Sequence, residues 1–179
     1  MGIEPTDWEL LAAYRGGDSA AFRTLFTRHR DGLTTFAWRL LDRREEAEEV
    51  VVDAFVRLMS QPPQPQGSLR AWLYTVVHRS ALDRLRRRSR WGRVWDRLSH
   101  WVSPEAASPF DHVADDEVAS KLARTLASLP EAHRVVLLLF YADELPTKEI
   151  AQILDCDDQQ VRSRLSYARR LLRDAWGEP

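Results

Sequence analysis

The chain has 179 residues, 44% of them hydrophobic and 30% charged, with a formal net charge of −1 at pH 7. That length buries one sizeable core or two small ones, and the near-zero charge excludes a protein that coats nucleic acid by bulk electrostatics. No run of about 20 apolar residues occurs, so no membrane span is expected. The N-terminal stretch carries Glu4, Asp7 and Glu9 rather than a basic region followed by an apolar one, so it does not read as a secretory signal. The single cysteine, Cys156, allows no internal disulfide, and a cytoplasmic protein is the default expectation. The charge is segregated: seven arginines fall between Arg79 and Arg93 and five between Arg162 and Arg173, while acids gather at Glu45 to Asp53 and Asp111 to Glu117. Two basic patches in a neutral chain point to local contact with a polyanion. Lysine is confined to Lys121 and Lys148, so the contact rests on arginine, which grips phosphate or guanine bidentately.

In chain order, Glu9 to Tyr14 is short and weakly amphipathic, and Gly16-Gly17-Asp18 breaks it, with Asp18 the expected cap of the next helix. Ala21, Phe22, Leu25, Phe26, Leu33, Phe36, Ala37, Leu40 and Leu41 then recur at mostly helical spacing, predicting one long helix or two collinear ones from Asp18 to Leu41, with a bend at Gly32. Asp42 is the expected cap of the next helix, where Ala47, Val50, Val51, Ala54, Phe55 and Leu58 form the cleanest apolar stripe of the chain and the other face is acidic. Three prolines between Pro62 and Pro65 dictate a loop over residues 61–67. Ser68 is the expected cap of a helix that buries Leu69, Trp72, Leu73, Val76 and Val77 and then turns basic. From about Gly92 to Ala114 the pattern dissolves, and Trp91, Trp95 and Trp101 lie among Ser, Pro, Gly and His. Packing of these tryptophans on neighbouring domains and exposure for a partner are both open. A further helical region begins at Asp115 or Asp116 and includes the strongly apolar segment from His133 to Tyr141.

The stretch from Leu145 to Trp176 reads as two helices joined by a polar turn at Asp155-Cys156-Asp157. Thr147 is the expected cap of the first and Asp157 of the second. On the second, Val161, Leu165, Ala168 and Leu172 make one narrow buried stripe, and the remaining surface is Arg, Gln, Ser and Tyr. Those side chains contact phosphates and base edges, and the arrangement predicts a helix-turn-helix with its second helix in a major groove. No strand pattern appears, so the fold class is all-α: two small helical domains, residues 1–92 and 115–179, joined by a tryptophan-containing linker over 93–114, with the C-terminal domain a helix-turn-helix.

Motifs for enzymatic chemistry are not found. The five histidines lie apart with no partner at i, i+4 and no cysteine cluster beside them, so neither metal nor other cofactor is expected. There is no Walker-type loop, nucleophile elbow or dinucleotide fingerprint. Cys156 reads as a small buried hydrophobe rather than a nucleophile.

From about Asp18 to Trp176 the chain resembles the extracytoplasmic-function (ECF) sigma factors. Region 2 of that family is seen in AFRTLFTRHRDGL, AEEVVVDAFVRL and LRAWLYTVVHRSALDRLRRRSR. Region 4 is seen in LASLPEAHRVVLLLFYADELPTKEIAQILDCDDQQVRSRLSYARRLL. The resemblance implies a subunit that joins core RNA polymerase and recognises the −35 and −10 elements of promoter DNA. Glu48, Glu49, Val52, Asp53 and Arg57 would dock on the clamp helices of the β′ subunit, with region 4 at the β flap. Trp72, Tyr74, Arg79, Asp83, Arg84, Arg87 and Arg88, with the 61–68 loop, would hold the −10 element. Arg162, Ser163, Ser166, Tyr167 and Arg170 would read the −35 element. An anti-sigma factor is a further implied partner. The chain departs from the family pattern at Val52, where Gln is usual, at Arg79, where Asn is usual, and at Gln159-Gln160 and Ser166-Tyr167 in the recognition helix. These departures imply unusual promoter specificity. Two other readings remain open: a degenerate sigma-like protein that binds polymerase or anti-sigma without opening promoters, and a stand-alone helix-turn-helix regulator.

Overall fold

A computed structural model describes residues 4–98, 125, 126 and 128–176, and among them every regular element is helical. The chain divides into two compact units, residues 1–85 and 86–179.

The first unit is built from α1 (Asp7–Arg15), α2 (Ser19–Leu41), α3 (Arg44–Ser60) and the first part of α4 (Leu69–Leu98). A capping box opens α1: the Thr6 hydroxyl accepts from Glu9 N, and the Glu9 carboxylate accepts from Thr6 N at 2.7 Å. Asp18 caps α2 as expected, accepting from Ala20 N at 2.8 Å and Ala21 N at 3.3 Å. Asp42 does not cap α3. It takes a left-handed conformation (φ 58°) and ends α2, donating its N–H to Trp38 O, and α3 follows Arg43 with no side-chain cap. Nor does Gly32 interrupt α2, which runs unbroken. A Cβ at Gly32 would stand 3.1 Å from the Tyr74 hydroxyl, so the glycine makes room for a packed tyrosine.

The core of this unit lies where α2 meets α3 and α4. Leu25, Leu33, Phe36, Ala37 and Leu41 from α2 are buried with Ala47, Val50, Val51, Ala54, Phe55 and Leu58, the whole expected stripe of α3. Phe26 and Phe55 join these two helices with ring centroids 4.8 Å apart. From α4 come Leu69, Leu73, Val76, Val77, Tyr74, His78 and Ala81, whereas Trp72 is only half-buried. Phe36 meets Tyr74 at 5.2 Å between centroids.

Helix α1 is tied to α2 by Asp7, which accepts from Arg28 Nη1 at 2.7 Å and lies 2.8 Å from His29 Nε2. Burial alone would raise the Asp7 carboxyl, but hydrogen bonds and charge from His29 and Arg28 outweigh it and hold its pKa below the ordinary 3.8. A depressed folded-state pKa adds stability that is present above the ordinary value and is lost as pH falls through the folded one. Asp7→Asn is therefore expected to destabilise the protein by about 1–2 kcal/mol at neutral pH. The gap between mutant and parent in thermal unfolding should close below about pH 4; a gap independent of pH would contradict this assignment.

The loop between α3 and α4 ends at Gly67, which has a left-handed φ of 70°. The Trp8 indole of α1 donates to Gly67 O at 2.9 Å. Ser68 caps α4 as expected, its hydroxyl accepting from Ala71 N at 3.2 Å. Helix α4 continues through Gly92 to Leu98, past the point where the apolar periodicity fades. Trp101, Val118 and Leu122 lie outside the described residues.

The described part of the second unit contains α5 (Glu131–Leu137), a π-helical turn (Leu138–Ala142), α6 (Thr147–Ile153) and α7 (Asp158–Trp176). The apolar segment from His133 to Tyr141 is thus an α-helix that widens in its last turn, where Asp143 N donates to Leu138 O, five residues back. Thr147 is the first residue of α6 rather than its cap; Pro146 O accepts from Glu149 N and Ile150 N.

The turn between α6 and α7 is a Schellman motif. Asp155 adopts φ 52°, Asp155 N donates to Gln152 O at 3.4 Å, and Cys156 N donates to Ala151 O at 3.0 Å. This pairing satisfies the last carbonyls of α6 and turns the chain into α7. Glycine occupies such a left-handed position without the Cβ penalty, so Asp155→Gly is expected to raise stability by about 0.5–1 kcal/mol in denaturant unfolding. Asp157 then caps α7 as expected: its carboxylate accepts from Gln160 N at 2.6 Å, and the Gln160 side chain accepts in return from Asp157 N. Ile150, Ala151 and Ile153 of α6 and Val161, Leu165 and Ala168 of α7 are buried, with Val135–Leu139 behind them.

Candidate nucleic-acid and polymerase interfaces

Helix α3 turns two chemistries outward. Glu45, Glu48, Glu49, Asp53 and Arg57 are exposed, as the acidic face required. Among them, Val52, Val56 and Met59 are 51%, 50% and 40% exposed. At i, i+4 and i+7 they form an apolar stripe opposite the buried one. Val56 and Met59 were not among the expected contact residues, although their phase, out of step with the Ala47–Leu58 stripe, is readable in the sequence. Beside Val52 opens a cleft of about 770 Å³ between α2 and α3, lined among others by Phe26, Arg30, Trp38, Arg44 and Glu48.

The residues expected to hold the −10 element on α4 separate into three groups. Arg79, Asp83 and Arg87 are exposed, and Trp72 and Arg88 are partly so. Tyr74 is 2% exposed and packs against Phe36, so it supports the helix from within and is not available as a pocket wall. Arg84 is held by α3: its guanidinium donates to Glu49 at 2.7 Å and lies 3.7 Å from Asp53. The family resemblance implied DNA contact for this arginine and a protein partner for those carboxylates; the fold places all three in one ion-paired cluster.

On α7 the expected set behaves as one surface. Arg162, Ser163, Ser166, Tyr167 and Arg170 are all exposed, and Val161, Leu165 and Ala168 behind them are buried. Arg162 pairs with Asp158, one turn earlier, at 2.6 Å. The Tyr167 ring lies on His133 of α5, centroids 4.6 Å apart, and carries the Arg170 guanidinium at 5.2 Å. Burial and the neighbouring Arg164 cation push the His133 pKa down from 6.5, which favours the neutral ring in this stack.

Cys156 sits in the turn with Arg164 Nη1 3.9 Å from its sulfur. Burial pushes its thiol up; Arg164 opposes this, and Asp157 and Asp155 add to it. The thiol is therefore expected to alkylate slowly with iodoacetamide at neutral pH, to accelerate only in alkali, and to react faster once the chain is unfolded in urea. Cys156 is half-buried rather than the fully buried hydrophobe expected; rapid labelling of the native protein at neutral pH would contradict the raised thiol.

Two exposed helical surfaces of different chemistry, one apolar and acidic and one basic and polar, fit a protein that binds a protein and a nucleic acid. Residues 25–90 match the family model for sigma-70 region 2, and residues 119–172 match that for sigma-70 region 4. The chain is 32% identical over 164 residues to the ECF RNA polymerase sigma factor SigL of Mycobacterium tuberculosis, spanning 87% of this chain and 89% of that one. The chain belongs to the ECF family of RNA polymerase sigma factors.

The fold of this sigma factor is also that of the sigma factor RpoE solved in complex with the anti-sigma factor NepR from Bartonella quintana. That structure has a TM-score of 0.67 and 23% identity, covering 88% of this chain and 97% of that one. CnrH, solved with the cytosolic domain of CnrY, gives the same TM-score and identity over 94% and 95%. As a sigma factor the protein is not an enzyme, and among the described residues no group of three or more His, Cys, Asp and Glu side chains is placed to hold a metal ion. No helix among them is long and apolar enough to cross a membrane.

Proposed function

We propose that this sigma factor docks on core RNA polymerase through α3, grips the −10 element with the exposed part of α4 and the 61–68 loop, and reads the −35 element with α7. The apolar stripe Val52–Val56–Met59 carries the reading. A stand-alone helix-turn-helix regulator has no use for an exposed apolar row on a helix far in sequence from its reading head, whereas a polymerase subunit needs one. On this reading the clamp helices of β′ cover the stripe, and Glu45 and Glu48 beside it meet basic groups there. Region 4 meets the β flap.

Promoter contact follows from chemistry. Arg79, Arg87 and Arg88 present cations for backbone phosphates. Trp72, half-exposed near the loop, supplies a stacking wall for an unpaired base, a task that Tyr74 leaves to it. In the major groove Arg162 offers a bidentate donor for guanine, Ser163 and Ser166 bond either donor or acceptor edges, and Tyr167 offers an apolar face for a thymine methyl. An anti-sigma factor that covers these surfaces would hold the protein silent; the similar sigma factor RpoE was solved in complex with the anti-sigma factor NepR.

The test is reconstitution. Purified protein mixed with bacterial core polymerase should co-elute as a complex and open a promoter fragment, read by permanganate reactivity of unpaired thymines near −10. Co-elution without opening would favour the degenerate reading. Binding to duplex DNA with no association to core would favour the regulator.

A further inference from the structure

On α7, Arg162, Ser166, Arg169 and Arg173 recur at i, i+4, i+7 and i+11, so they form one stripe along the flank of the helix. This flank borders the buried side, whereas Ser163 and Arg170 lie opposite that side. Arg169 was not among the expected DNA contacts. It is exposed, yet it is held in place. Its Nε donates to the Tyr141 hydroxyl at 2.8 Å. Its guanidinium lies 5.5 Å from the Tyr141 ring centroid and 5.4 Å from that of Phe140. The two rings stand edge to face, 5.0 Å apart at 82°.

Phe140 and Tyr141 are consecutive residues of the π-helical turn, and the two rings grip the arginine from two directions. Such turns are costly and recur at functional sites. Tyr141 is 57% exposed, so it adds little to the core; its hydroxyl is engaged with Arg169.

We infer that Arg169 is a preset clamp for a DNA backbone phosphate, with Tyr141 and Phe140 as its positioning residues. The bond to Tyr141 uses Nε and leaves the donors on Nη1 and Nη2, the paired groups that suit a phosphate. A free arginine loses its rotamer freedom on reaching a phosphate; this one has lost it before DNA arrives. Its place on the helix selects phosphate over base: the N-terminal turns of a recognition helix, which hold Arg162 and Ser166, meet base edges, and Arg169, two turns beyond Arg162 on the same flank, meets the strand that walls the groove. A recess lined by Ser166, Arg169, Leu172 and Arg173 offers room for the sugar–phosphate chain on that side. The inference rests on the assignment of α7 to duplex DNA.

The test uses holoenzyme made from the full chain and bacterial core polymerase. The probes are a duplex bearing a mapped promoter and the same duplex with its −35 sequence scrambled, each titrated over salt. Arg169→Ala should weaken binding to both probes by a similar factor and lower the slope of log K against log salt by about 0.9, the value of one phosphate contact. Tyr141→Phe keeps the ring and every charge; it should weaken binding by about two- to threefold with the slope unchanged, the mark of lost preorganisation. Arg169→Lys should fall between parent and Ala.

Three results overturn the inference: Arg169→Ala and Arg169→Gln that bind and titrate like the parent, a loss confined to the intact −35 probe, or a loss of core association with the salt slope unchanged. Thermal unfolding of each variant separates these from misfolding. Arg162→Ala serves as the reference. If it loses discrimination between the probes while Arg169→Ala changes nothing, the clamp alone falls; if it too changes nothing, the assignment of α7 to DNA falls with it.

Discussion

Arg162→Ala is expected to lower initiation at a cognate promoter by about 10- to 100-fold, the usual worth of one bidentate arginine–guanine contact, and to leave folding intact. The side chain is 67% exposed, and it pairs with Asp158, a neighbour one turn away. An exposed pair of that kind contributes little to stability, so the parent and mutant should unfold at the same temperature. The change leaves Asp158, in the first turn of α7, without its cation, which adds repulsion toward DNA to the lost contact. The measurement is run-off transcription with reconstituted holoenzyme on an intact promoter and on one altered in its −35 element. The mutant should lose on the first and differ little from the parent on the second. Equal loss on both would make Arg162 a backbone contact and move sequence reading to Ser163, Ser166 and Tyr167.

Val56→Glu is expected to weaken association with core polymerase by at least about tenfold, because a carboxylate at the centre of a buried apolar contact is desolvated without a partner. The position is half-exposed in the free chain, so no comparable loss of stability follows. A fluorescent label on the protein and titration with core measures the effect directly. Val52→Gln restores the side chain usual in the family; it should keep core affinity within a fewfold of the parent. Undiminished core binding by Val56→Glu would remove the apolar stripe from the interface and leave only the acidic residues of α3.

Where apolar period and polar punctuation agree, the fold was legible from the residues. The Ala47–Leu58 stripe and the Asp18, Ser68 and Asp157 caps stand as expected; of the α7 stripe, Val161, Leu165 and Ala168 are buried, whereas Leu172, near the end of the helix, is half-exposed. The caps depend on contacts within a few residues, and the stripes follow from unbroken helical period. The misses have another cause. Asp42 and Thr147 carry good capping side chains, but Asp42 ends α2 in a left-handed conformation and Thr147 is already inside its helix, so Arg43 and Pro146 occupy the cap positions instead. Gly32 reads as a helix breaker until Tyr74 is seen above it.

The surfaces were legible to a different degree. The exposed polar face of α7 follows from a single helix and its periodicity. Tyr74 and Arg84 could not be placed from α4 alone, since the burial of one and the pairing of the other depend on α2 and α3. Arg169 was missed because its partners Phe140 and Tyr141 lie 28 or 29 positions away and meet it only through the π-helical turn.

The central claim is that one chain joins core polymerase and chooses its promoters. It is tested most directly by adding the purified protein to bacterial core with a pool of genomic fragments and sequencing the transcript starts. The account predicts starts that share two upstream motifs at fixed spacing and that vanish with Arg162→Ala. A stable complex with core that yields no starts above those of core alone, at any fragment in the pool, would contradict it.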